Sequence, residues 1–204
     1  MTFQDYKYGL TKITSIAIDT NNGNYLWLAF AKNSNNVCLL KKVSANNLSQ
    51  VYYTVSVPVN SINAMVVVNG YIFLAVTPLS SGTYLNVFSW AYSVSNPLTT
   101  WNYINNPVGV DESPIGIGVG STNLYFLTPG IISAEEAKIV SITTSNVYVE
   151  TINLSQSAIL VRNASCITVD ASNNLWVGTN TTPSNLIRVW KPSSIWEIEE
   201  TSLI

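Results

Sequence analysis

The sequence predicts an all-β fold of four similar antiparallel sheets, and two observations support that prediction. A pattern of two strands joined by a turn recurs four times, about every 50 residues, along nearly the whole chain. Hydrophobic residues make up 47% of the 204 residues and charged residues only 10%. This composition has too few charges for long surface helices and too much hydrophobicity for a disordered chain.

Each copy of the pattern is predicted to be a β-hairpin. A β-branched run leads into a turn rich in Asn, Asp and Gly, residues that tolerate positive φ, and a run containing aromatic residues follows. The four hairpins occupy residues 13–29, 63–75, 115–128 and 165–179.

Two further apolar runs follow each hairpin, so that every repeat supplies four strands. Several of these runs alternate apolar and polar residues, as strands with two different faces do. The third runs cover residues 37–43, 84–94, 137–143 and 186–191, and the fourth runs cover residues 50–57, 100–104, 147–152 and 196–201.

A lone four-stranded sheet of this kind would leave two apolar faces uncovered, whereas sheets stacked radially would cover one another. We therefore predict one domain over residues 1–204, a small β-propeller with four blades of four antiparallel strands. The predicted blades cover residues 11–60, 61–110, 111–157 and 158–204. A β-sandwich is the alternative, because strand spacing alone fits both architectures.

The fourth hairpin resembles a known blade motif. Ile167–Thr179 contains an apolar strand, then Asp170, an Asn-rich turn, and Leu-Trp at Trp176 with a small residue and Thr after it. This segment resembles the blades of two-component-regulator-type sensor propellers and is similar to those of NHL-type and streptogramin-lyase-like propellers. Asp19 and Trp27 repeat it loosely in the first hairpin. The resemblance implies fold rather than activity, and it implies that both Asp residues order their turns.

The absence of histidine excludes several kinds of chemistry. It removes Ser-His-Asp and Cys-His catalysis, His-ligated zinc, and the histidine on which streptogramin-lyase-like enzymes depend. A net charge of −2 with only 9 Lys and Arg residues disfavours nucleic-acid binding. No apolar run approaches the ~20 residues of a membrane span, and the N-terminus lacks the apolar core of a secretory signal. We therefore expect a non-enzymatic protein that is cytoplasmic or associated with a virion.

Small residues in the apolar runs are interpreted as packing features. Cys38 and Cys166 are predicted to be buried thiols, and their spacing does not indicate a disulfide. Gly116, Gly118 and Gly120 resemble a phosphate-binding loop only weakly, because no helix is predicted after them. We expect these glycines to permit close backbone packing.

Paired acidic residues are the first candidates for a ligand site. Asp111 and Glu112 lie in the loop that enters the third predicted blade, and Glu135 and Glu136 lie in the loop between its second and third strands. In a propeller these two loop types open on the same face, so four carboxylates would converge there. Such oxygen-rich loops can bind Ca²⁺, which is the only cofactor that the sequence suggests.

Aromatic residues of the second repeat are the other candidates. Trp90 and Trp101 lie in its third and fourth runs, with Tyr92 and Tyr103 two residues after each, and one set could face outward as a platform for a protein or glycan. Trp27 and Trp176, by contrast, lie inside strands and are predicted to belong to the core.

Three functional hypotheses follow. The favoured one is an interaction module or structural protein that presents propeller loops to a protein or glycan, as a component of a virion or other surface assembly. Its loops 32–36, 78–82 and 179–183 are rich in amides and hydroxyls. The second is a hydrolase or lyase that uses the paired carboxylates, with or without Ca²⁺. The third is a homo-oligomer in which two chains pool eight blades.

Overall fold

The computed structural model describes residues 12–19, 23–33, 35–79, 84–91, 102–105, 113–130, 136–145, 147–156, 159–181 and 184–202. Within these ranges the chain forms four separate antiparallel sheets of four strands each and contains no helix. The predictions of an all-β fold and of four four-stranded antiparallel sheets are therefore confirmed.

The first two sheets are meanders in chain order, which we call sheet one and sheet two. Sheet one contains β1 (Ile13–Ile18), β2 (Tyr25–Phe30), β3 (Cys38–Ser44) and β4 (Val51–Val57). Sheet two contains β5 (Val59–Val68), β6 (Tyr71–Pro78), β7 (Tyr84–Ala91) and β8 (Asn102–Asn105).

The other two sheets follow the same plan and are called sheet three and sheet four. Sheet three contains β9 (Gly116–Val119), β10 (Asn123–Thr128), β11 (Lys138–Thr143) and β12 (Tyr148–Asn153). A two-stranded hairpin that the sequence did not predict follows, formed by β13 (Ser155–Gln156) and β14 (Ile159–Leu160). Sheet four contains β15 (Ala164–Val169), β16 (Leu175–Thr179), β17 (Asn185–Trp190) and β18 (Glu197–Ser202).

In two of the sheets, the turn between the first and second strands contains residues with positive φ, as the Asn-rich and Gly-rich sequences of these turns predicted. Asn69 and Gly70 have φ of 51° and 79°, and Asn173 has φ of 60°. A branched side chain would be strained at these angles, so the Asn-rich and Gly-rich turns set where each hairpin reverses.

The chain divides into two compact units, residues 1–103 and 104–204, each of which contains two packed sheets. In the first unit, sheet one packs against sheet two in a single hydrophobic cluster. We call the face of sheet one that carries Trp27 and Leu40 its trailing face, since it meets the next sheet along the chain. The face of sheet two that covers it carries Met65, Val67 and Leu74 and is called its leading face.

The second unit repeats this arrangement. The trailing face of sheet three, with Leu127 and Ile139, packs against the leading face of sheet four, with Val177 and Val189. A single hydrophobic cluster joins them. Each unit therefore buries its apolar surface by stacking one sheet on the next.

The close packing predicted for the glycine run is confirmed. A Cβ atom on Gly116 would lie 3.1 Å from Cγ2 of Ile167, and one on Gly118 would lie 2.8 Å from Cγ2 of Val169. Glycine at these two positions lets β9 of sheet three approach β15 of sheet four more closely than any side chain would allow.

Neighbouring sheets within a unit are connected tightly. Only Pro58 separates the last strand of sheet one from the first strand of sheet two. Between sheets three and four, the Ala137 amide donates to the Val161 carbonyl at 2.9 Å and the Leu154 amide donates to the Ala137 carbonyl at 2.9 Å. Both connections are thus held in place, one by its length and the other by hydrogen bonds.

Candidate functional site

Most of the residues predicted to bind a ligand lie outside the described residues. This holds for Asp111, Glu112, Glu135 and Trp101, and Trp90 lies in β7 with a side chain that is not described. Glu136 is described and is half-buried immediately before Ala137. The carboxylate cluster and the aromatic platform of the second repeat therefore stay predictions.

No metal site is formed within the described ranges. There, no three side chains among His, Cys, Asp and Glu come together in a group that could hold an ion. Calcium binding by the acidic loops consequently stays a hypothesis.

Asp170 organises the turn between the first two strands of sheet four. Its Oδ1 accepts hydrogen bonds from the Ser172 and Asn174 amides, both at 2.9 Å, and its Oδ2 accepts one from Asn174 Nδ2 at 2.8 Å. The indole Nε1 of Trp176 also donates to Oδ2, at 3.0 Å. The side-chain bonds from Asn174 and Trp176 lower the pKa of Asp170 to about 2, since they favour the ionised carboxylate. The turn-ordering role implied by the blade resemblance is confirmed here.

Trp176 is presented on the trailing face of sheet four. It pairs across the sheet with Arg188, which pairs in turn with Glu199, and directly paired residues share one face. Trp190 lies two residues beyond Arg188 and therefore on the same face. We call this surface, formed by Trp176, Arg188, Trp190 and Glu199, the Trp-Arg face.

The Arg188 guanidinium lies between the two indoles. Its Cζ is 4.8 Å from the ring centroid of Trp190 and 5.9 Å from that of Trp176. Its Nη1 is 3.8 Å from Oε2 of Glu199. Two cation–π contacts and an ion pair thus place the guanidinium against both indoles and the Glu199 carboxylate.

The Trp-Arg face is only partly covered. Trp176, Arg188 and Trp190 are half-buried and Glu199 is exposed. Among the described atoms, Arg188 Nε is buried and has no hydrogen-bond acceptor. A buried donor without an acceptor is costly.

The trailing face of sheet one carries a similar arrangement in a more buried form. Lys42 pairs across the sheet with Trp27, lies 5.8 Å from its ring centroid, and forms a 2.7 Å ion pair with Asp19. Trp27 is 0% exposed and Asp19 is 1% exposed, because sheet two covers this face. An aspartate, a tryptophan and a cross-strand cation thus recur in sheet four as Asp170, Trp176 and Arg188, where the tryptophan and the cation are half-buried.

The leading face of sheet one is the second open surface. Ile16 is 56% exposed and Ile18 is 61% exposed, although both lie on an apolar face with Leu28. Lys41 pairs with Leu28 on this face and lies 5.5 Å from the ring centroid of Phe30. Burial lowers the pKa of the Lys41 ammonium, so this cation is partly dehydrated.

Two predictions about buried side chains need correction. Trp27 belongs to the core as expected, but Trp176 is half-buried. Cys38 is a buried free thiol, and burial raises its pKa. Cys166 was also expected to be buried but is exposed, because the alternation of β15 places it on the same open side as Trp176.

Sequence reasoning did not single out Arg188, Trp190 or Glu199. The available signal was the two-residue spacing of Arg188 and Trp190 in a run predicted as a strand. The register that sets Arg188 opposite both Trp176 and Glu199 depends on turn lengths, which the sequence pattern left open.

Comparison with known sequences gives no relative, since no protein-family model and no curated protein matches this chain. Comparison with solved structures does find similar proteins. A crystal structure of the extracellular domain of the putative hybrid two-component system BT4673 from B. thetaiotaomicron matches with a TM-score of 0.60 and 14% identity, over 97% of this chain and 23% of that chain. The β-propeller domain of Myceliophteria thermophila Cps50 (Swd1) matches with a TM-score of 0.56 and 10% identity, over 86% of this chain and 50% of that chain.

The fold is that of a β-propeller. YCF48 bound to D1 peptide also matches, with a TM-score of 0.53 and 12% identity, over 94% of this chain and 53% of that chain. The propeller chain studied here spans from about a quarter to about half of the length of these three proteins. At these identities the likeness establishes architecture alone, with each four-stranded sheet as one blade.

Within the described residues, no helix is long and apolar enough to cross a bilayer.

Proposed function

We propose that this propeller is a protein-binding module and that the Trp-Arg face is its contact surface. The observation that supports this most is the pair of half-exposed tryptophans with an organised arginine between them. Trp and Arg are the residues that most often dominate the binding energy of protein interfaces, and ordering them beforehand reduces the entropic cost of association.

The geometry favours a protein partner over a glycan. Sugars bind aromatic side chains mainly by stacking on a free ring face, but the Arg188 guanidinium already lies over the two indole rings. The accessible groups are the exposed Glu199 carboxylate and the half-buried side chains of Trp176, Arg188 and Trp190. A polypeptide can offer a cation and apolar side chains to these groups at once.

Two of the structural neighbours support a protein partner in general terms. YCF48 was solved bound to a D1 peptide, and Swd1 is a β-propeller domain. Both are remote in sequence and longer than this chain, so they support the class of function rather than a particular ligand.

The setting that we propose is a virion or other surface assembly. The support is compositional, since the chain relies on uncharged polar residues for its surface. Purification of particles from the source followed by detection of the chain in the particle fraction tests this setting. Recovery of the chain only in the free fraction would contradict it.

A random peptide library displayed on phage, selected on the immobilised chain, tests the proposed contact surface. We expect enriched peptides whose binding falls at least about tenfold for Arg188→Ala and for Trp190→Ala, because each change removes a central contact. Leu79→Ala is the matched control, since Leu79 is 56% exposed and follows β6 of sheet two rather than lying in sheet four.

A glycan array run with the same variants distinguishes the two ligand classes. Binding of glycans that depends on Trp190, with no peptide enriched, would show that the face recognises sugars instead. Peptides that bind both variants as tightly as the wild type would show that the Trp-Arg face is not the contact surface.

A further inference from the structure

We propose that the turn at Asn47 is an N-glycosylation site of the folded chain, where a sugar is attached to the carboxamide nitrogen. This turn joins β3 to β4, the last two strands of sheet one, and does not belong to the Trp-Arg face. Three features support the site: the sequon, the hydrogen bonds of the turn, and the exposed aromatic strand that follows it.

The chain contains four Asn-X-Ser/Thr sequons, the tripeptide that accepts N-linked sugars when X is not proline. They begin at Asn47, Asn153, Asn163 and Asn180, and Thr182 of the last one lies outside the described residues. A chain rich in Asn, Ser and Thr contains such tripeptides by chance, so the local structure decides which of them can accept a sugar.

The sequon at Asn47 is exposed and already folded into a compact turn. Asn47 and Ser49 are both exposed. The Ser49 hydroxyl donates to Asn47 Oδ1 at 2.6 Å, and the Ser49 amide donates to the same atom at 3.2 Å. Because a backbone amide can only donate, this second bond identifies the atom as the carboxamide oxygen. The Gln50 amide closes the turn by donating to the Asn47 carbonyl at 2.9 Å.

These hydrogen bonds favour the chemistry of sugar transfer. Nδ2 of Asn47 attacks the anomeric carbon of a sugar diphosphate ester and loses a proton to a base of the transferase. The bond between the anomeric carbon and the diphosphate oxygen breaks, and its electron pair leaves with the diphosphate. As Nδ2 loses its proton, negative charge develops on the carboxamide and is shared with Oδ1. The two donors at Oδ1 stabilise that charge and so assist the attack.

The sequon at Asn153 is built into the connection between sheets three and four. Its middle residue, Leu154, is fully buried. The Leu154 amide donates to the Ala137 carbonyl and the Leu154 carbonyl accepts from the Val161 amide, both at 2.9 Å. A transferase could not hold this tripeptide without opening the connection.

The sequon at Asn163 is fixed in a similar way. Its middle residue, Ala164, is buried, and the Ala164 amide donates to the Pro129 carbonyl at 3.0 Å. The Ser165 hydroxyl donates to the Gly178 carbonyl at 3.1 Å. That hydroxyl is therefore engaged across sheet four, unlike the hydroxyl of the Asn47 sequon.

The strand that follows the Asn47 turn offers a surface to an attached sugar. Val51, Tyr52 and Tyr53 begin β4, and all three are exposed. The Tyr52 ring makes an edge contact with the Tyr25 ring, with the centroids 4.9 Å apart. The C–H faces of sugars pack against aromatic rings, so a sugar on Asn47 can cover part of this exposed apolar edge.

Peptide mass spectrometry of the chain purified from its source tests the site. We expect a sugar on peptides that contain Asn47 and none on those that contain Asn153 or Asn163. An amidase that releases N-linked sugars should leave aspartate at position 47, which identifies the carboxamide as the attachment point. Asn47 without a sugar overturns the proposal, whichever other sequon is occupied.

Variants expressed in the source cell test the role of the hydroxyl. Ser49→Ala should lower the fraction of chains with a sugar on Asn47 at least about tenfold, because it removes a donor from Oδ1. Ser49→Thr keeps the hydroxyl and should keep the sugar. Ser155→Ala is the matched control, since it removes the same group from the sequon at Asn153. A Ser49→Ala chain that is modified as fully as the wild type overturns the proposal.

Unmodified chain from a host without N-glycosylation tests whether the folded turn is the acceptor and which donor is used. One sample is incubated with membranes of the source cell, which contain polyprenyl-diphosphate sugars. A second sample is incubated with the soluble fraction and nucleotide-diphosphate sugars. Transfer to Asn47 in either sample supports the proposal and identifies the donor, whereas transfer in neither sample overturns it. Far-UV circular dichroism before incubation checks that the chain is folded.

Discussion

Replacement of Gly118 by alanine tests how closely sheets three and four are packed. The added methyl group would lie 2.8 Å from Val169 Cγ2 and 3.4 Å from Ile167 Cγ1. The first distance is roughly 0.7 Å shorter than an ordinary carbon–carbon contact of about 3.5 Å. Val169 is β-branched and has few alternative rotamers, so β9 and β15, which are the edge strands of sheets three and four, must move apart to relieve the clash.

The expected cost follows from two opposing effects. Overpacking of a close-packed interior costs about 1–3 kcal/mol. The loss of glycine's freedom in the unfolded chain returns about 0.4–1 kcal/mol, so we expect a net destabilisation of about 1–2 kcal/mol. Gly23→Ala is the control, since a Cβ atom there has no neighbour within 4 Å, and it should leave the chain equally or slightly more stable.

Urea unfolding of both variants and of Gly118→Ala/Val169→Ala completes this test. Removing the Val169 methyl groups makes room for the new one, so the double mutant should be more stable than the two single effects predict, by about 1 kcal/mol. The urea dependence must have the same slope throughout for the comparison to hold. A Gly118→Ala chain as stable as Gly23→Ala would refute the close packing of the two sheets.

Three further predictions address stability and association. Lys42→Ala should destabilise the chain by about 3–5 kcal/mol, because it leaves the buried Asp19 carboxylate without its 2.7 Å partner. Lys191→Ala, which removes the cation of an exposed pair, should cost less than about 1 kcal/mol. Equal urea midpoints for the two variants would contradict this difference. The pKa of Asp170 is about 2 in the folded chain and 3.8 ordinarily, so the stability that its carboxylate gives to the fold should be complete above about pH 4 and lost as the pH falls toward 2. The difference in unfolding midpoint between wild type and Asp170→Asn should therefore shrink over that range. A constant difference would count against the hydrogen-bonded carboxylate. Ser56→Lys places a charge at an exposed position opposite Leu39 on β4, an exposed edge strand with no charged residue of its own, and should lower light scattering on heating without changing the urea midpoint; unchanged scattering would exclude this edge as the aggregating surface.

The sequence predicted the sheets better than it predicted their faces. Strand runs such as 37–43 and 186–191 differ by only one residue from Cys38–Ser44 and Asn185–Trp190, because alternation and turn residues are local signals. The β13–β14 hairpin was missed because two-residue strands carry no such periodicity.

The candidate site depended on information that local patterns lack. Whether Trp176 is buried like Trp27 is decided by the sheet that lies over it, not by its own strand. The same reasoning explains Cys166, which occupies an apolar run but points to the open side of sheet four. Asp170 was predicted correctly because its partners lie within six residues of it in the chain.

The short connections inside each unit have a consequence for folding. A single proline joins sheets one and two, and hydrogen bonds donated by the amides of Ala137, Leu154 and Val161 hold the segment that connects sheets three and four. The stacking of two neighbouring sheets therefore closes only a short loop, and its entropic cost is small, so a newly formed sheet can pack on its neighbour soon after that neighbour has formed. Amide protons of two paired sheets should accordingly lose their protection against exchange at the same denaturant concentration, with the pair as the smallest cooperative element of the chain.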